Sequence, residues 1–144
     1  MQHHSTNARS GLHIRGHRGH PAVRMAYIRF AVWLRTQFDF PIRVPVYLLP
    51  GECVRTVDGD IVTASIFLPW NRKTEPYIRV ATGDFPRLNR ELGRDNALAA
   101  FLSSLSHEVI HYRQWIETGD FRERGVALRA SKLVVRYSET RGHP

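Results

Sequence analysis

From Asp95 or Asn96 to about Glu117 the apolar positions return every three or four residues. Leu98, Phe101, Leu102, Leu105, Val109, Tyr112 and Ile116 make one stripe, the spacing of a helix with one buried face. Asp95 or Asn96 can cap its start, and Gly119-Asp120 marks its end. The same period appears earlier. Val23, Ala26, Tyr27, Phe30, Ala31 and Leu34 predict a helix from Pro21 to about Phe38, with Pro21 near its start. A last helix is expected from about Phe121 or Arg122 to Tyr137, with Val126, Ala130, Leu133, Val134 and Tyr137 buried.

Between the first and the long helix the pattern changes to short β-branched runs. Ile42–Leu49, Val54–Val57, Ile61–Leu68 and Tyr77–Thr82 each read as a strand. Pro45 favours an edge or a bulge in the first run. Asp58-Gly59-Asp60 is the turn of a hairpin, lacking the full ligand series of a calcium loop. A short helical segment from Pro86 to Leu92 follows. The expected class is α+β: an N-terminal helix, a small, mainly antiparallel sheet, a long helix and a C-terminal helix.

A chain of 144 residues makes one domain. Residues 1–20 hold five of the eight histidines and little to bury, so they are expected to be a disordered basic, His-rich tail. The folded domain is expected over 21–139, with 140–144 frayed. The single cysteine, Cys53, excludes an intrachain disulfide and a Cys-rich zinc site, so a metal here takes nitrogen and oxygen ligands. No apolar run reaches the roughly 20 residues of a membrane span, and no leader-like apolar stretch is seen, which makes a cytoplasmic location the expectation. The net charge is +8, but the arginines are spread along the chain. Such a spread fits a solvated basic surface better than a dedicated nucleic-acid site.

The candidate chemistry lies in the long helix. His107-Glu108-Val109-Ile110-His111 puts two imidazoles four residues apart, on one helical face. That arrangement suits two ligands of Zn2+. Glu108 then stands where its carboxylate can take the proton of a metal-activated water. Tyr112, Tyr137 and Arg129 are further candidates for stabilising an oxyanion, although both tyrosines sit at core spacing.

His107-Glu108-Val109-Ile110-His111-Tyr112-x-Gln114-Trp115, the Gly119 turn, and a helix containing Glu123-Arg124-Gly125 and ending in Tyr137 together resemble a compact gluzincin-type zinc metallopeptidase domain. The resemblance is most specific over Asp95–Tyr137. It implies a zincin-like fold, peptide-bond hydrolysis, a glutamate ligand from the helix after the motif, and a substrate held as an extended strand beside the sheet. Tyr77–Thr82 would be the strand that holds it. The positions just before Ala130 carry no acid, unlike the family pattern. Glu123 is therefore the first candidate for the third ligand and Asp120 the second. With neither, the domain would be a degenerate, non-catalytic binding module that meets nucleic acid or a protein partner through its basic surface.

Overall fold

A computed structural model describes residues 11–56 and 58–141. The elements follow in the order β1 (Leu12–Arg15), α1 (Pro21–Gln37), β2 (Val44–Leu49), β3 (Val54–Arg55), β4 (Ile61–Val62), β5 (Ala64–Phe67), β6 (Tyr77–Ala81), α2 (Phe85–Leu92), α3 (Arg94–Glu117) and α4 (Val126–Arg141). The α+β class holds. One sheet has the strand order β1-β2-β6-β5, and β3 pairs with β4 as a separate hairpin.

The sheet is mixed, which corrects the expectation of a mainly antiparallel one. β1 runs parallel to β2, and β2 parallel to β6. Only β5 runs antiparallel, against β6. The crossover helix α1 explains the first parallel pair, because parallel neighbours need a long connection between them. Pro45 lies in an interior strand rather than at an edge. Val44 N–H turns toward β1 and donates to Gly11 O at 2.9 Å, so the proline nitrogen turns toward β6. The pairing with β6 begins one residue later, at Val46 opposite Ile78, so the missing N–H removes no ladder bond.

The chain joins the fold ten residues earlier than expected. Leu12 is fully buried opposite Val44, and Ile14 packs against the core opposite Val46. His13 and Arg15 take the other face. Arg35 of α1 donates to Leu12 O at 2.6 Å, tying the strand to the helix. The expected tail is thus corrected over residues 11–20, and its first ten residues lie outside the described ones, as do Val57 and the last three residues. At the other end α4 continues to Arg141, past the expected fraying point.

α1 and α3 pack on one face of the sheet, and α4 packs on α3. Val44, Val46, Leu48, Ile78, Val80 and Ala64 point into the core on that face. α3 is its central rod, packed on β5 and β6 and flanked by α1, α2 and α4. Tyr27 donates to Ala81 O at 3.0 Å and locks α1 onto the end of β6. α3 begins at Arg94 after Gly93 with no side-chain cap, so Asp95 and Asn96 fall inside its first turn. Its far end is held by Arg72, which donates to the carbonyls of Trp115 and Ile116. A cation there also suits the negative end of the helix dipole.

Candidate metal centre

The periodicity of α3 decides which way the motif faces. Val109 and Tyr112 turn into the core, while His107, Glu108 and His111 look toward the segment that follows the helix and toward the β5 edge. His111 is buried and His107 partly open. Nε2 of His107 lies 3.0 Å from Glu123 Oε1, and Nε2 of His111 lies 3.2 Å from Glu123 Oε2. The three ligand atoms fall within 4.8 Å of one another.

Glu123 arrives by a route that its sequence position did not suggest. It does not lie on the face of the last helix, because α4 starts only at Val126. Glu123 belongs to the connection, where its carbonyl accepts from Val126 N–H at 3.1 Å and Gly125 takes a positive φ of 79°. The connection is short and folded back, which drops the carboxylate between the two imidazoles. Asp120, the second candidate, stays outside the donor group and pairs with Arg122 at 3.4 Å. Glu117 pairs with Arg113 along the helix.

Gln114, one turn beyond His111, carries no role in the sequence reading. Its side-chain NH2 donates to Arg122 O at 3.0 Å, and its Oε1 accepts from Arg122 N–H at 3.1 Å. The same Oε1 lies 2.9 Å from Nδ1 of His111. One side chain therefore anchors both a histidine of α3 and the residue before Glu123. The signal available in the sequence was its helical spacing of three from His111. Phe121 is the second residue missed. Its ring stacks on His111, with centroids 3.9 Å apart and planes 12° apart.

The donor set suits zinc: two imidazole nitrogens and a carboxylate oxygen. Nε2 of His111 is buried and has no hydrogen-bond partner, since the nearby Glu123 oxygen is off the bonding direction. A buried nitrogen in that state is costly unless something accepts its lone pair. A cation between His107, His111 and Glu123 would do so.

Glu108 is only 8% exposed, and its carboxyl is pushed up to about 8, first by burial and then by the negative charge of Glu123. It lines the cleft formed by β5, the β3–β4 hairpin and Phe121, a space of about 480 Å3. β5 borders this cleft through Ala64, Ser65, Ile66 and Phe67. A bond of 2.8 Å between Thr63 and Ser104 fixes the start of β5 to α3, one turn before His107.

This arrangement overturns the assignment of Tyr77–Thr82 as the substrate-holding strand. β6 has β2 on one side and β5 on the other, so neither of its edges is open. β5 is the edge strand at the cleft. The candidate oxyanion donors are also elsewhere. The Tyr112 hydroxyl is fully engaged with the backbone of Ile42, Tyr137 is buried against Phe30 and Trp33, and Arg129 lies outside the cleft.

Among the described residues no helix is long and apolar enough to cross a membrane. No protein-family model, curated protein sequence or solved structure matches the chain.

Proposed function

We propose that the protein is a small zincin-like zinc metallopeptidase. The observation that carries this reading is the convergence of His107, His111 and Glu123 within 4.8 Å, beside the buried Glu108 and an open strand edge. A zinc ion held by those three side chains would supply Lewis-acid chemistry for hydrolysis at neutral pH.

The chain's own residues supply the rest. Glu108 takes a proton from the attacking water and returns it to the leaving amine. A peptide lies extended along β5, antiparallel or parallel, its backbone completing that edge. Phe121 covers one side of His111 and keeps water from it. Gln114 holds His111 and the Glu123 segment in place.

The test is zinc content by elemental analysis, together with cleavage of an unfolded fluorogenic protein substrate. About one zinc per chain is expected in the wild type, and none in His111→Ala. Glu108→Gln should keep the metal and lose hydrolysis by several orders of magnitude. A wild-type protein purified with zinc in the buffer yet free of the metal would sink the reading.

A further inference from the structure

The cleft beside Glu108 is acidic in a chain whose net charge is +8. Asp58 and Asp60 stand on the turn of the β3–β4 hairpin and line the cleft together with His107, Glu108 and Glu123. The turn is fixed by its own bonds. Gly59 N–H donates to Thr56 O at 3.0 Å, Thr56 N–H to Asp60 O at 2.9 Å and Asp60 N–H to Thr56 Oγ1 at 3.1 Å. Among the described residues neither aspartate enters an ion pair. The neighbouring cation, Arg79, is turned to other partners: it donates to Arg55 O at 3.1 Å and to Ser65 Oγ at 3.3 Å. Both carboxylates are therefore left for whatever enters the cleft.

Rings stand beside those acids. Phe67 and Tyr77 stack with centroids 5.2 Å apart and 29° between the planes, and Phe121 stacks on His111. All three line the cleft and all three are exposed. Flat rings next to carboxylates fit a long side chain with an apolar stem and a cationic head. An apolar side chain would use the rings alone, and an acidic one would be repelled by the aspartates.

The groove runs through the site and does not stop beside it. A second space of about 340 Å3 shares Val62, Ala64, His107 and Glu108 with the first, and continues between β5 and α4 past Thr63, Ser104, Ala127 and Ser131. Apart from His107 and Glu108 its lining is uncharged. Glu108 lines both spaces, and its carboxyl takes no hydrogen bond from the described residues. The charge is thus one-sided: acidic toward the hairpin, neutral toward α4.

We propose, resting on the peptidase reading, that the groove takes peptides carrying an arginine or a lysine on the hairpin side. The stem of that residue lies along Phe67, Tyr77 and Phe121, its head meets Asp58 and Asp60, and an uncharged flank of the peptide continues toward α4. The net charge of +8 works against such a peptide at long range. A basic peptide favoured over an acidic one is therefore recognised locally, in the cleft.

The test is fluorescence anisotropy of the full-length Glu108→Gln protein, supplied with zinc, against labelled peptides. One uncharged host peptide carries Arg, Gln or Glu at each position in turn. At the position facing the hairpin, Arg is expected to bind about fivefold or more tighter than Gln, with Glu weakest. Asp58→Asn/Asp60→Asn should bring Arg level with Gln, and Asp58→Lys/Asp60→Lys should place Glu first. Zinc content should be unchanged in both double variants, because neither aspartate belongs to the donor group. Cleavage of the same peptides by the wild type should follow the order of binding.

Three results would overturn the proposal. One is equal binding of the Arg, Gln and Glu peptides. Another is an Arg preference that survives in Asp58→Asn/Asp60→Asn. The third is no binding of any peptide in the set. The peptidase reading is judged separately. A chain that takes up no zinc loses that reading, while its peptide binding still decides the Arg preference. A zinc-loaded chain that cleaves all three peptides equally keeps the reading and loses this proposal.

Discussion

Gln114 fixes the tautomer of His111. Arg122 presents both a backbone N–H and a carbonyl to the Gln114 amide, and they bond Oε1 and Nε2 respectively at 3.1 and 3.0 Å. Turning the amide over would set donor against donor and acceptor against acceptor. Oε1 must therefore face His111 Nδ1, which lies 2.9 Å away, so Nδ1 carries the proton and donates. The lone pair is left on Nε2, the atom that faces Glu123 and His107. Metal-binding histidines commonly have their other nitrogen held in this way.

The first prediction follows from that bond. Gln114→Ala should weaken zinc binding by about 10–100-fold, measured by competition with a chromogenic chelator. Gln114→Glu should fall between the alanine variant and the wild type. It keeps an acceptor for His111 Nδ1–H but loses the donor to Arg122 O. Equal zinc affinity in all three proteins would remove Gln114 from the metal centre.

Zinc should also stabilise the fold. The three donors come from α3 and from the connection before α4, so a metal links two segments that separate on unfolding. Binding only to the folded state at about 1,000 times Kd contributes about 4 kcal/mol. For a chain of this size that is a rise in Tm on the order of 10 °C. Calorimetry with and without a chelator should show the rise in the wild type and little of it in Glu123→Ala. A full rise in Glu123→Ala would mean that the carboxylate is not a ligand.

How far the site was legible depends on how local each part is. His107, Glu108 and His111 lie within five residues of one helix, and a period of 3.6 sets their common direction. Glu123 is the carboxylate nearest before Ala130, and that points to it as the third donor, but the helical placement behind the choice was wrong. The helix was expected to begin before Glu123, whereas it begins at Val126 after a positive-φ Gly125. The substrate edge was misplaced because neighbours in a sheet are set by distant pairing. Nothing within Tyr77–Thr82 says that β2 will cover one of its sides. Leu12-His13-Ile14-Arg15 was hidden by its setting: a four-residue alternation among glycines, histidines and arginines is a weak signal until Val44 and Val46 stand beside it.

Tyr112 should prove structural. Its hydroxyl accepts from Ile42 N–H at 3.0 Å and donates to Ile42 O, fastening α3 to the segment entering β2. Burial pushes its ionisation up to about 12, so it remains a donor across the working range of pH. Tyr112→Phe removes both bonds and leaves a partly buried amide unmatched, at a cost of about 1–3 kcal/mol. Urea unfolding should show that loss, while zinc stoichiometry and, on the proposed reading, the peptidase kcat of the folded protein stay near wild type. A large fall in kcat at unchanged stability would return Tyr112 to the reaction.

The N-terminal strand makes an independent test of the fold. Leu12 is fully buried between α1 and β2, and Arg35 bonds its carbonyl at 2.6 Å. Leu12→Ala should lower stability by about 2–5 kcal/mol, since it empties a packed position. A residue in a disordered tail would change it by no more than about 0.5 kcal/mol. Gly19 gives a second variant in the same region. Its φ is +88°, and an added Cβ would sit 2.4 Å from the Cβ of Thr82, so Gly19→Ala forces the β1–α1 turn away from the end of β6. Both variants should shift the urea midpoint downward with the slope unchanged. If neither moves it, β1 does not belong to the cooperative fold.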